Sequence, residues 1–528
     1  MFGLALLVVT QVTDPLAVVV DPIRPDQDIL HYHLSVSVPD TGREIRGATT
    51  VTWRVAGGTG PLVLDFDDAF TVDSVRSGGR RLTRPARVRH GRMVIDRWGA
   101  PGDTLVATVF YHGTPADGLF IQDNVHGHRS AFADNWPNRA HHWFPGEDHP
   151  SDKATASFAV EVPSGWRAVA NGRPAGVDTL VSGRTVWHWR TRVPIPVYTM
   201  VFGAGRMTTS PLASVGATSV TVWTFPEDSA FAVEGPFRRA PAMVDFYSRT
   251  VGSFPYAKLA HVESSTRFGG MENASAIFYA EGGYARRSMG ESVVAHETAH
   301  QWFGDAVTEF DWHHLWLSEG FASYFGPLFF ESVGETDRFR SMMRSARDRY
   351  LASDDVHRPV IDTAENDYLR LLNRNNYQKG AWMLHMLRGL VGDSAFFRGV
   401  RAYYERGKHG TALTADLLAA MEATSGRSLR WFFDQWLTRP GYPELRVSSA
   451  FDHDTRRVTV RVEQVQPDAW GTFRIRVPVA LRFPDGWKRV PVSFTGRDRV
   501  ASAVVAANGP PLEIQVDPGE TLLLRVAR

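Results

Sequence analysis

The sequence contains no cysteine, which excludes a disulfide scaffold, a thiolate metal site and a cysteine nucleophile. Its 58 Lys and Arg residues are matched by 57 Asp and Glu, and a net charge of +1 creates no field that would attract nucleic acid. The apolar stretch 2–9 is much shorter than the roughly 20 residues of a membrane-spanning helix. We therefore predict no nucleic-acid partner and no integral membrane segment, and any chemistry must use His, Asp, Glu, Ser or Tyr.

The N-terminal segment 1–27 is a poor secretory signal, because no basic residue precedes its apolar stretch and no clear cleavage site follows. A start codon placed too far downstream would have removed such a basic part, so the segment is interpreted as the remnant of a signal. An exported location, periplasmic or secreted, is favoured, and a cytoplasmic one stays open.

The 528 residues suffice for about three or four domains, and a composition of 43% hydrophobic and 22% charged residues is that of a globular chain. Apolar and polar residues alternate in short segments over 28–207, which predicts an antiparallel all-β domain. Over 208–440 apolar residues recur at helical spacing, which predicts a mainly helical domain. Alternation returns over 441–528 and predicts a C-terminal β-sandwich. The predicted fold class is multidomain α+β.

The motif His296-Glu297-Thr298-Ala299-His300 lies in a segment, 288–304, that is predicted to be a helix of about 15 residues. Ser288 and Glu291 have the spacing of a capping box at its start. Residues four apart share a helix face, so both imidazoles can reach one zinc ion, and Glu297 is then beside the metal instead of on it. The bare pattern alone is also compatible with an exposed helix that carries two histidines and a glutamate.

A third ligand is predicted nineteen residues beyond His300, where Glu319 begins a second apolar-periodic helix in WLSEGFA. A catalytic zinc site needs three protein ligands and one open position for water. Two helices that carry His296, His300 and Glu319 toward each other form a thermolysin-like arrangement. We therefore expect one Zn²⁺ per chain in the helical domain; His313 and His314 are interpreted as residues of the rim, since the ligand set is already complete.

Gly269-Gly270-Met271-Glu272-Asn273 precedes the zinc helix, and this combination resembles the M1 family of zinc aminopeptidases, which are gluzincins. The resemblance extends over nearly the whole chain. Further matching stretches are Arg139, Trp143-Phe144-Pro145, Lys153-Ala154-Thr155, Tyr377-Gln378-Lys379-Gly380-Ala381 and Pro440-Gly441-Tyr442-Pro443.

The resemblance implies a zinc-dependent aminopeptidase that hydrolyses the N-terminal bond of peptides with a free N-terminus. Glu297 would be the general base that takes a proton from water, and the Tyr377 hydroxyl would stabilise the oxyanion. Glu272 would bind the substrate ammonium, with Gly269, Gly270, Met271 and Asn273 as the rest of the substrate-binding motif. The sequence predicts no preference for the side chain of the first substrate residue.

Two departures from the family pattern affect these expectations. Asp134 occupies a position where the family commonly has Gln or Glu for amine contact, and an Asp is one methylene shorter; Asn135 is an alternative. Many members also continue into a large helical C-terminal domain, whereas this sequence ends after the predicted sandwich. We therefore expect a short form whose cleft is either more open or covered by a second subunit in a homo-oligomer.

Two other functions stay open at this point. A thermolysin-type endopeptidase would use the same zinc chemistry, although an internal peptide bond brings no ammonium to meet Glu272. A catalytically inactive scaffold with the M1 fold would keep the architecture without the reaction, although the sequence retains the complete set of ligands and catalytic residues.

Overall fold

The computed structural model describes residues 14–20, 23–57, 61–78, 80–82, 86–96 and 99–527. The apolar stretch 2–9 lies outside these residues. Within them, a β region, a region rich in helices and a second β region follow one another along the chain. No helix in the described ranges is long and apolar enough to cross a membrane.

The N-terminal region is built on one large sheet with smaller sheets packed beside it. Hydrophobic side chains of the strand Gln27–Ser37, among them Ile29, Leu34 and Val36, alternate into the core. Its pairing with Lys153–Val162 is parallel, and the other pairs in this sheet are antiparallel. The large sheet contains, in spatial order, Arg173–Thr179, Thr185–Arg190, Lys153–Val162, Gln27–Ser37, Ile45–Val55, Thr104–Gly113, Phe70–Ser77 and Arg80–Arg81, with Ile195–Pro196 beside Lys153–Val162. The smaller sheets contain Arg167–Ala170, Phe202–Gly205, Arg129–Ala133 and Leu119–Asp123, and Leu62–Asp65, Arg92–Ile95 and Arg87–Arg89.

The middle region begins with a mixed sheet that the helical interpretation of 208–440 missed. Its strands are, in spatial order, Thr208–Pro211, Ser219–Thr224, Lys258–Ser264, Ala276–Ala280 and Gly270–Met271. The central strand Lys258–Ser264 is buried at every position, and each of its faces carries both polar and apolar residues, so one polar and one apolar face cannot be recognised in the sequence. A short, fully buried strand of this kind cannot be told from a buried helix by periodicity.

Helices form the rest of the middle region and pack around one continuous core. They are α1 (Ser229–Glu234), α2 (Ala240–Thr250), α3 (Glu281–Ala285), α4 (Glu291–His300), α5 (Trp316–Ser332), α6 (Thr336–Leu351), α7 (Gly380–Val391), α8 (Asp393–Gly407), α9 (Thr414–Ser425) and α10 (Arg430–Leu437). A π-helical turn, Asn375–Lys379, precedes α7. A parallel pair of short strands, Val307–Glu309 and Gly410–Ala412, lies between the helices.

The predicted capping box of the zinc helix is wrong. The N-cap residue of α4 is Gly290, and the helix begins at Glu291, so it is shorter than the sequence predicted. The carboxylate of Glu291 does not return to the backbone; it accepts hydrogen bonds from Arg239 at 2.6 and 2.5 Å. The Glu291 carboxylate therefore pairs with the distant Arg239 instead of the backbone at the start of its own helix.

The C-terminal region is a sandwich of two sheets. One contains Val500–Ala506, Arg457–Gln464, Glu444–Asp452 and Arg525–Val526, and the other contains Gly486–Ser493, Arg476–Phe483 and Glu513–Val516. Valines 458, 460 and 462 of one sheet and Val477, Val479 and Leu481 of the other are buried between them. The predicted multidomain α+β class is confirmed, and the domain limits stay a prediction.

Candidate active site

Three predicted zinc ligands converge at the crossing of α4 and α5. The Nε2 atoms of His296 and His300 lie 3.1 Å apart, and Glu319 Oε2 lies 3.3 Å from the first and 3.4 Å from the second. Tetrahedral ligands at about 2 Å from one zinc ion are ~3.3 Å from each other, so the three atoms fit such an ion. Gly326 allows the two helices to cross closely, because an added Cβ would lie 3.3 Å from His296 Cα.

The imidazole of His300 is oriented by contacts on its far side. Its Nδ1 lies 3.1 Å from the carbonyl oxygen of Phe303 and 3.0 Å from Ser318 Oγ, which leaves Nε2 for the metal. Gly304 is required here, because its φ is +109° and an added Cβ would lie 2.2 Å from Ser318 Oγ. The ring is therefore held before any ion arrives.

Tyr377 reaches the same point from the π-helical turn. Its hydroxyl donates a hydrogen bond to Glu319 Oε1 at 2.7 Å, and its ring lies parallel to that of His296 with centroids 6.1 Å apart. The turn lies close against α5 because Gly320 and Gly380 face each other, where a Cβ on either would be 3.0 Å from the other's Cα. Tyr377 thus fixes one oxygen of Glu319 while the other points to the imidazoles.

Glu297 is buried beside the ligands, and Gly270 of the GGMEN motif lies directly against its carboxylate. A Cβ on Gly270 would lie 2.2 Å from Glu297 Oε1, whereas one on Gly269 would meet nothing within 4 Å. Burial raises the pKa of Glu297 well above its usual range; the charge of His300 opposes this, and the charge of Glu272 adds to it. The carboxylate is therefore a strong proton acceptor in a confined position.

Glu272 completes a second convergent group with Glu297 and His300, whose donor atoms all lie within 4.8 Å of one another. Its carboxylate is 6% exposed, and burial raises its pKa to about 7, an effect that the charge of His300 opposes. Gln301 fixes the backbone, because its Nε2 donates to the carbonyl oxygen of Glu272 at 2.6 Å. A buried carboxylate of this kind is suited to a cation that enters the cleft.

The remaining residues of the motif are more buried than a contact surface would be. Met271 is 3% exposed and packs in the core, and the Asn273 side chain is fully buried without a hydrogen-bond partner among the described residues. The strand Gly270–Met271 pairs with Tyr279 and Phe278, which fixes the edge of the cleft. The role of these residues in substrate binding stays a prediction.

Asp134 is buried near Glu272, whose pKa its charge helps to raise. One oxygen accepts a hydrogen bond from Arg139 at 2.6 Å, and Oδ2 has no partner in the described part of the chain. Asn135, the alternative, accepts from Trp143 Nε1 at 2.8 Å and donates to the carbonyl oxygen of Met200 at 2.7 Å. Of the two side chains, only Asp134 has an oxygen without a hydrogen-bond partner among the described residues, and its contact with a substrate amine stays a prediction.

The histidines that precede α5 are engaged elsewhere. His313 bonds Asp311 at 2.6 Å and the carbonyl oxygen of Glu365 at 2.9 Å through its two ring nitrogens. His314 bonds Thr414 Oγ1 and the carbonyl oxygen of Val18, each at 2.8 Å. Both imidazoles are buried structural groups, so neither is available as a fourth ligand.

The sequence analysis assigned no role to two buried ionisable side chains near the site, Lys153 and Glu309. Lys153 Nζ reaches the carbonyl oxygens of Asp305, Ala306 and Gly410 at 2.9 to 3.0 Å. Glu309 is buried with neither oxygen hydrogen-bonded among the described residues, and burial raises its pKa to about 8. The matching stretch around Lys153 was the available signal, but its partners are backbone carbonyls that only the fold brings together.

Comparison with known proteins places the whole arrangement in one family. The description "Peptidase M1 N-terminal domain" matches residues 29–199, and "Peptidase family M1 domain" matches residues 238–436. A solved structure of an M1 zinc metallopeptidase mutant from Deinococcus radiodurans has a TM-score of 0.69 at 25% identity, covering 79% of this chain and 96% of that one.

Curated relatives agree with this assignment. Tricorn protease-interacting factor F2 of Thermoplasma acidophilum is 28% identical over 412 residues, which are 73% of this chain and 51% of the relative. Aminopeptidase N of Streptomyces lividans is 27% identical over 467 residues, 83% of this chain and 53% of the relative. The chain thus spans about half the length of the curated relatives it matches. On both matched segments and on its fold, the chain belongs to peptidase family M1.

Proposed function

We propose that this protein is a zinc-dependent aminopeptidase that removes N-terminal residues from peptides. One observation carries the proposal: the three ligand atoms of His296, His300 and Glu319 converge beside two buried carboxylates, Glu297 and Glu272. A zinc ion in a site of two His and one Glu acts as a Lewis acid on a carbonyl and lowers the pKa of water.

The protein's own residues supply the proton transfer and the charge stabilisation. Glu297 takes a proton from the attacking water and passes it to the leaving amine, a role that suits a carboxylate whose pKa is raised by burial. The Tyr377 hydroxyl, which donates to Glu319 Oε1, turns in this mechanism to the oxygen on which negative charge develops. Burial of these groups keeps bulk water away and strengthens each interaction.

Glu272 decides between an aminopeptidase and an endopeptidase. A free peptide N-terminus is an ammonium, and a charge-assisted hydrogen bond to a buried carboxylate is strong. The same contact sets the first peptide bond beside Glu297, which limits cleavage to one residue from the end. An internal segment of a peptide would leave Glu272 buried without a cationic partner, which disfavours endopeptidase activity.

The experiment compares aminoacyl nitroanilides with their N-acetylated twins, for wild type and Glu272→Gln, with zinc content measured on each sample. We expect cleavage of the free-amine substrates only, and a fall in kcat/KM of about 10²-fold or more in the variant at unchanged zinc. Glu422→Gln is the matched control, because Glu422 is half-buried and accepts a hydrogen bond from the backbone of Leu429. A chelator should abolish activity, and added zinc should restore it.

Each alternative has its own result. Equal cleavage of the acetylated twins would establish a thermolysin-type endopeptidase. Zinc bound at His296, His300 and Glu319 without cleavage of any peptide or amide would favour an inactive scaffold.

A further inference from the structure

A second group of metal-ligating side chains lies outside the catalytic residues. His126, Asp228 and Glu263 offer one imidazole nitrogen and two carboxylate oxygens, all within 4.8 Å of one another. His126 Nε2 lies 2.6 Å from Asp228 Oδ2, and both carboxylates are fully buried. His126 belongs to the turn 124–128 of the N-terminal region, whereas Asp228 and Glu263 belong to the middle region, so the group bridges the two.

Each of the three side chains also makes a contact with a residue outside the group. Asp228 Oδ1 accepts from Arg287 Nη1 at 2.7 Å, and Glu263 Oε2 accepts from the backbone N–H of Phe225 at 2.9 Å. The His126 ring packs edge-on against Phe225, with centroids 6.2 Å apart. Outer contacts that fix a ligand by its second atom are typical of metal sites.

Glu263 is fully buried, and its Oε1 receives no hydrogen bond from an N–H or hydroxyl donor among the described residues. The adjacent Asp228 carboxylate can bond to Glu263 only if the two acids share a proton. Three acidic side chains lie near one another here: Asp228, Glu263 and Glu281. Among the described residues, the Arg287 guanidinium is the one permanent positive charge that pairs with them. Three carboxylates and one guanidinium leave an excess of negative charge that a divalent ion balances when His126 is neutral.

We propose that His126, Asp228 and Glu263 form a second site for a divalent transition-metal ion of the zinc class, separate from the catalytic ligands. One nitrogen and two oxygens are donors that zinc accepts, and the partly exposed imidazole leaves a path for entry. The ion ties the turn 124–128 to the sheet of the middle region. It serves stability and the fit between the two regions, and not the reaction itself.

In the metal-free chain a proton takes the place of the ion. Burial, together with the adjacent Asp228, raises the pKa of Glu263 to about 10, so its carboxyl group is protonated at neutral pH. Glu263→Gln therefore keeps the fold, because an amide N–H can donate where the acid proton did. The same substitution removes one anionic ligand from the site.

Metal content per chain tests the proposal, measured by mass spectrometry after equilibration with excess zinc and removal of unbound metal. Wild type should hold about two zinc ions, and Glu263→Gln, His126→Asn and His296→Asn about one each. Combining Glu263→Gln with His296→Asn should leave about none. His128→Asn is the matched control, since this half-exposed imidazole lies in the same turn and outside the group.

Thermal unfolding gives a second readout in the His296→Asn background, where the catalytic ligand set is incomplete. Added zinc should raise the unfolding temperature, and Glu263→Gln should abolish the rise. The proposal is overturned if wild type holds about one zinc that His296→Asn removes, or if a second ion survives both His126→Asn and Glu263→Gln. Neither result depends on whether the protein cleaves peptides.

Discussion

Replacing Gly270 by alanine tests whether the position of Glu297 controls catalysis. The added methyl group would start 2.2 Å from Glu297 Oε1 and 2.4 Å from its Cδ, far inside any real contact. Either the carboxylate or the strand Gly270–Met271 must move by about 1 Å to relieve this overlap, and a misplacement of that size lowers a rate by about 10²-fold. This corresponds to about 2.7 kcal/mol of lost transition-state stabilisation.

Steady-state kinetics on an aminoacyl nitroanilide measures the effect, together with zinc content and far-UV circular dichroism. We expect the loss in kcat at unchanged zinc, because the three atoms nearest to the added group all belong to Glu297. Gly269→Ala is the comparison: its methyl group meets nothing within 4 Å, so kcat should stay within about twofold and any effect should fall on KM. A folded, zinc-loaded Gly270→Ala enzyme with wild-type kcat would refute the reasoning.

Three further substitutions probe the supports of the site. Tyr377→Phe should lower kcat by about 10²-fold with zinc retained, because one hydrogen-bond donor to the developing charge is lost. Tyr404→Phe is the control, because its hydroxyl donates to the carbonyl oxygen of Ser253, and its kcat should be that of wild type. Equal kcat in the two variants would exclude the oxyanion role. Lys153→Met should lower the free energy of unfolding in urea by about 3 kcal/mol or more, because three carbonyl oxygens each lose the hydrogen bond from the buried ammonium. Lys408→Met, at an exposed ion pair, should cost less than ~1 kcal/mol, and similar values for the two variants would contradict this account. Ser318→Ala should weaken zinc binding about tenfold in competition with a chelator, because the His300 imidazole loses one of the two contacts that orient it. An unchanged zinc affinity would show that the contact with the Phe303 carbonyl oxygen alone orients the ring.

The ligand set was predictable because helix geometry alone links His296 to His300. A spacing of four residues on a helix puts two side chains on one face whatever surrounds them, and Glu319 follows at a spacing that a second helix explains. The structure brings these atoms together as the spacing predicts. Their role as zinc ligands stays a prediction that metal content will test.

The parts that the sequence did not predict depend on contacts between distant segments. The strand Lys258–Ser264 was missed because both of its faces are buried and both carry polar residues, so the sequence shows no separate polar and apolar faces. Ser288 has the pattern of a cap, yet Glu291 pairs with Arg239, since a bidentate ion pair gains more than a local backbone contact. Local patterns therefore fail where a tertiary partner competes for the same side chain.

The predicted zinc site contains several buried carboxylates, and a metal ion would change the pKa of each of them. Burial raises the pKa of Glu272 and Glu297, the charge of Glu319 adds to this in both, and the charge of His300 opposes it. The pKa of Glu319 itself is held below its usual range, because the charges and hydrogen bonds of His300 and His296 outweigh its burial. A divalent ion at the ligand atoms favours the ionised form of each carboxylate, whereas a substrate ammonium adds to this effect only at Glu272. In the proposed reaction, the buried acids whose charge destabilises the metal-free fold would be the groups that bind substrate and transfer the proton.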